Sequence, residues 1–141
     1  MISVKKLIYK IVDRIHYVPL YGSITGMIVN DKSVSGNGAW TNCGSITLPA
    51  GVWILIVSVS FPTNATGYRA ISISNTSAAA GTQIQTSRVS AASGTTTTVN
   101  VCAAFKGGTW YINASQNSGS TLTASPRYTA VKIGEDTTSV S

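Results

Sequence analysis

Apolar positions follow two different periods along the chain. From residue 3 to residue 18 they include Val4, Ile8, Ile11, Ile15 and Val18, at intervals of four, three, four and three. This alternation is the heptad seam of a helix, with Ser3 as N-cap and Pro19 as stop. Ile8 and Ile15 take the a positions, and Val4, Ile11 and Val18 the d positions. Leu7 and Val12 widen the stripe. β-branched residues at both a and d favour three strands over two. At 1.5 Å per residue the helix is about 24 Å long, barely two heptads, and would not hold a trimer together alone. Packing on its own domain is the plain alternative. Lying on a membrane surface with Lys5, Lys6, Lys10 and Arg14 towards the headgroups is a third.

From about residue 24 the period drops to two. Ile46-Thr47-Leu48 leads into Pro49-Ala50-Gly51, a turn signal. Residues 52–61, 68–74, 83–91, 96–105, 109–115 and 128–133 read as further strands, separated by Gly81, Gly94, Gly107-Gly108 and Asn117-Ser118-Gly119. Around eight short strands at this spacing predict a β-sandwich or jelly roll. The division is therefore a helix over 1–20, a connector over 21–35 and a β domain over 36–141. One strand departs from the rest. Val52-Trp53-Ile54-Leu55-Ile56-Val57 is apolar at every position, so both of its faces want cover. Either the helix or another copy of the chain would cover the outer one.

Composition agrees with β structure. Charged residues are only 10% of the 141-residue chain, whereas Ser and Thr together fill 37 positions. Hydroxyls and backbone, rather than charge, must solubilise this surface. Half of the net charge of +6 sits before residue 19, from Lys5, Lys6, Lys10 and Arg14 against Asp13. The rest is thinly spread and interleaves with no aromatic run, so nucleic-acid binding finds little support. The chain contains no apolar run of about 20 residues, so no membrane span is expected, and its first 20 residues do not read as a signal peptide. Cys43 and Cys102 are expected to be buried free thiols, their pairing depending on whether the fold brings them together.

Candidate chemistry is sparse. His16 is the one histidine and belongs to the helix, so a Ser-His-Asp device has no histidine within the β domain. One His with two distant Cys does not make a zinc site. Glu135 and Asp136 are adjacent, hence on opposite faces of a strand, which makes a poor glycosidase pair. No phosphate-cradling loop occurs. The expectation is a protein without enzymatic activity, cofactor or metal. Loops rich in small polar residues, at 64–67, 77–82 and 117–121, suit recognition better. Tyr68, Arg69, Tyr111, Asn117, Ser118 and Tyr128 are candidate receptor-binding residues; for the tyrosines, the plain alternative is a core or subunit-interface position.

The segment from Gly108-Thr109-Trp110-Tyr111-Ile112-Asn113 to Ser120 resembles the penultimate strand and turn of C1q/TNF-like jelly rolls. Tyr128-Thr129-Ala130-Val131-Lys132-Ile133-Gly134 resembles their last strand, and Leu48-Pro49-Ala50-Gly51-Val52-Trp53 the approach to an early core strand. With Lys5-Lys6-Leu7-Ile8-Tyr9-Lys10-Ile11 in front, the chain is similar to small fibre proteins of tailed bacteriophages. The resemblance implies an all-β, antiparallel C1q/TNF-like jelly-roll sandwich preceded by a short α-helix. It further implies a homotrimer in the virion, attached to another virion protein through the helix and binding a host-surface glycan or protein by avidity. Val4, Ile8, Ile11, Ile15 and Val18 would line the trimer interface. The rival readings are a purely structural capsid or tail decoration and a bacterial β-sandwich lectin or adhesion module.

Overall fold

The computed structural model describes residues 23–27, 30–78 and 84–136. Every element among them is a strand: β1 (Ser23–Met27), β2 (Lys32–Val34), β3 (Thr41–Phe61), β4 (Tyr68–Ser74), β5 (Ile84–Ser90), β6 (Thr97–Gln116) and β7 (Leu122–Gly134). All pairings are antiparallel, in one sheet of order β1-β7-β3-β6-β4-β5, with β2 added against the start of β7. The expected N-terminal helix, with Val4, Ile8, Ile11, Ile15, His16 and Val18, lies outside the described residues. β1 and β2 fall within the stretch read as a connector.

The two longest strands make the architecture. β3 has 21 residues and β6 has 20, and they pair along almost their whole length. The C-terminal part of β3 also pairs with β7, from Val52↔Gly134 to Ser60↔Ser125. The C-terminal part of β6 instead pairs with β4, from Arg69↔Gln116 to Ser74↔Tyr111. One continuous sheet thus has two halves that share β3 and β6.

The bend between the halves corrects the sequence reading. Pro49-Ala50-Gly51 and Gly107-Gly108 were expected to end strands. They sit instead in the same stretch of the β3–β6 ladder, between Leu48↔Gly108 and Val52↔Lys106, where the register shifts. Neither reverses the chain. Buried positions in β3 are even-numbered at Ile46 and Leu48 and odd-numbered from Trp53 onward. In β6 the buried apolar positions are odd up to Phe105 and even from Trp110. A five-residue step would put Leu48 and Trp53 on opposite faces of a regular strand. The bulge re-aims both strands together, so both halves face one core. Gly51 has φ 133°, and Gly107 packs so tightly on the Pro49 carbonyl that no side chain fits.

The sheet curls as a half-barrel around that core. Val34, Leu55, Val57, Val59, Phe61, Ile71, Ile73, Val99, Ile112, Ala114, Ala124 and Ala130 are fully buried in one cluster drawn from five strands and both halves. Phe105 and Trp110 meet edge to face at the bend, with centroids 4.7 Å apart.

Candidate binding surfaces

Four of the six candidate receptor residues gather where β4 begins and β6 ends. The backbone N–H of Tyr68 donates to Asn117 Oδ1 at 2.7 Å, and the Arg88 guanidinium stacks 4.0 Å from the centre of the Tyr68 ring. Arg69, however, points into the core. It shares the inner face with Ile71 and Ile73, is fully buried, and donates to the carbonyls of Asn64, Thr66 and Tyr68 at 2.8–3.0 Å. Phe61 lies beneath its guanidinium at 5.9 Å. Burial pulls its pKa below the usual arginine range. Arg69 therefore stitches the 64–68 loop to the sheet. Ser118 is bound within its own turn, its N–H to Gln116 Oε1 at 2.8 Å and its hydroxyl to the Ser120 carbonyl at 3.1 Å. Gln116 is buried and also donates to the carbonyls of Val34 and Ser120.

Tyr111 and Tyr128 are not part of this cluster. Tyr111 is on the outer face, opposite Ser45 and Ser74. Tyr128 is opposite Val57 and packs against the core in the other half.

A polar network missed at the sequence level occupies the outer face of β4 and β6. Buried Asn113 accepts from the N–H of Ala78 at 2.8 Å and donates to Ser74 Oγ and the Thr76 carbonyl. Ala78 holds a left-handed φ of 53° in that turn. Ser72, next to Asn113 in the ladder, is fully buried, and its hydroxyl has no partner. The loop signal was legible; the buried asparagine that anchors it was not.

The outer face of the other half carries two features. Its middle is apolar. Val52 and Ile54 are half-buried, Ile56 is 44% exposed and Ile133 46%. Thr129 and Cys102 flank Ile56, and Val131 and Ala104 flank Ile54. The inner face of the same stretch, Trp53, Leu55 and Val57, is buried as expected. Further along, the face turns polar and opens into a cavity of about 340 Å³ lined by Asp31, Ser60, Phe61, Pro62, Thr96, Thr123 and Ser125. Ser125 Oγ donates to Asp31 Oδ1 at 2.7 Å, and Ser60 Oγ lies 2.9 Å from Thr98 Oγ1.

Lys132 pairs with Glu135 at 2.7 Å and Lys106 with Asp136 at 3.4 Å. Both cysteines are free thiols; Cys43 is buried as expected, but Cys102, opposite Ile56 on the outer face, is exposed. Burial pushes the Cys43 thiol up to about 11, against smaller opposing pulls from the Ala114 backbone and Lys32.

No protein-family model matches this chain, and no curated protein matches it in sequence. Among solved structures, a chain in the structure of infectious bursal disease virus, Gt strain, is similar to it with a TM-score of 0.51 and 15% identity. The alignment covers 82% of the present chain and 34% of that one, so this chain spans about a third of that chain's length. At this identity the likeness is one of fold, and it places the curled antiparallel sheet beside one found in a virus.

Proposed function

We propose that this chain is a non-enzymatic structural module of a virus particle that assembles through its own outer sheet face. The observation that carries the reading is the apolar strip Val52-Ile54-Ile56, whose centre stays 44% exposed at Ile56 while the inner face of the same strand is filled. Large apolar side chains grouped on a sheet face mark an association surface. Fold likeness to a chain from a virus structure supports the particle as the setting. Within this reading, the chain is a C1q/TNF-like jelly roll at the tip of a phage fibre. A helix over residues 3–18 carries it, and three copies share one axis. Three weak sites on one axis then bind a host-surface glycan or protein by avidity.

Static light scattering on the full chain tests the assembly. The expected mass is three times the 14.7 kDa of one chain. Ile56→Lys, placed on the exposed strip, is expected to shift the mass towards the monomer while leaving the far-ultraviolet β spectrum intact. A monomer at micromolar concentration for the unsubstituted chain overturns the reading.

A further inference from the structure

We propose that the cavity beside Asp31 binds one residue of a neutral saccharide. The inference rests on the receptor-binding reading above and deepens it by naming the site and the ligand class. The cavity, at about 340 Å³, lies near the lower end of the roughly 300–1,000 Å³ typical of small-ligand sites. Every polar side chain that lines it presents oxygen, on a lining that is otherwise apolar. Asp31, Ser60, Thr96, Thr123 and Ser125 contribute one carboxylate and four hydroxyls, and Pro62 offers an apolar side.

The arrangement is pre-oriented. Ser125 and Ser60 face each other across β7 and β3, and Ser60 faces Thr98 across β3 and β6. Ser125 spends its proton on Asp31 Oδ1, which fixes the carboxylate and leaves the serine lone pairs to accept. The second oxygen of Asp31 carries no bond to another described residue, nor do the side chains of Thr96 and Thr123. A carboxylate oxygen that accepts, beside hydroxyls that both donate and accept, matches a vicinal diol. Hydrogen bonds to a charged acceptor are the stronger kind. The Pro62 ring can lie against the C–H face of a pyranose.

Other ligand classes fit less well. Neither Lys32 nor Arg127, the cations next in register, lines the cavity, and the carboxylate repels an anion. A metal ion would find a single carboxylate, and no group of three His, Cys, Asp or Glu side chains suited to a metal occurs among the described residues.

Saturation-transfer NMR on the full chain tests the site. The probes are the methyl glycosides of glucose, galactose, mannose and N-acetylglucosamine, with glucuronate and putrescine as charged counter-probes. At least one neutral glycoside is expected to bind at millimolar concentration, in preference to both charged probes. Asp31→Asn and, separately, Thr123→Val are expected to weaken it by about tenfold, the scale of a lost hydrogen bond to a charged group. Undiminished binding by both variants overturns the groove as the site and leaves the receptor reading standing. Binding of putrescine alone makes Asp31 an ammonium site and overturns the saccharide. If no glycoside binds, the proposal fails. The receptor reading is then judged separately, by adhesion of the chain to a panel of bacterial and animal cells before and after periodate oxidation of their surface sugars.

Discussion

The indole N–H of Trp110 donates to the carbonyl of Lys106, four residues earlier in the same strand, at 2.8 Å. Trp53 makes the same bond to Pro49 at 2.9 Å on the neighbouring strand. Each tryptophan thus spans the irregularity in its own strand and satisfies a carbonyl there. The two bends are built alike and lie side by side, which keeps β3 and β6 paired while both change direction.

The bend tolerates no side chain at Gly107, where a Cβ would strike the Pro49 carbonyl and the Ala50 Cα. Gly107→Ala is expected to cost about 1–3 kcal/mol, the scale of overpacking in a tight site. Gly134→Ala is the control, because its Cβ would meet nothing within 4 Å. It should stay within about 0.5 kcal/mol of the parent in urea denaturation.

Arg69→Met keeps much of the side-chain volume and removes every donor. The carbonyls of Asn64, Thr66 and Tyr68 then lose their partner in a partly buried setting, offset in part by removal of the buried Nε, which makes no hydrogen bond. The expected loss is about 2–4 kcal/mol, read from the denaturation midpoint, with faster amide exchange confined first to residues 64–68.

Ser72 is the opposite case. Its hydroxyl is buried without a partner, so it bears a desolvation cost with no compensating bond. Ser72→Ala is expected to raise stability, by up to about 1 kcal/mol, in thermal unfolding. A lower melting temperature would show that the hydroxyl is held after all.

The two thiols should part company in both reactivity and titration. Cys102 is exposed and Cys43 buried, so a thiol reagent is expected to modify one group in the native chain and the second only on unfolding. The folded chain holds the Cys43 proton up to a pKa of about 11, against 9.0 for an ordinary thiol. Below pH 9.0 both states keep the proton, and this contribution to stability is fully present. Between pH 9.0 and about 11 only the unfolded chain releases it, so stability falls as pH rises. The full difference is on the order of 2–3 kcal/mol, and Cys43→Ala should flatten that part of the pH profile.

Two strands were legible for different reasons: alternation marks residues 68–74, which coincide with β4, and an apolar run unbroken over 52–57 marks residues 52–61, the C-terminal part of β3. The bends were not, because Pro and Gly punctuate a kink and a turn alike. Only the coincidence of the two breakers in one ladder separates the cases, and pairing is a property of the folded chain. β1 and β2 escaped because they are 5 and 3 residues long. Arg69 was misleading but readable: the period of two that puts Ile71 and Ile73 inside puts Arg69 there as well. The cavity had no linear signature, since Asp31 and Ser125 stand 94 residues apart.

Because β3 and β6 run unbroken from one half into the other, no linker joins the halves and neither can peel away alone. Denaturation should therefore be a single all-or-none event. A protease meets no seam between the halves at which to cut the described domain in two.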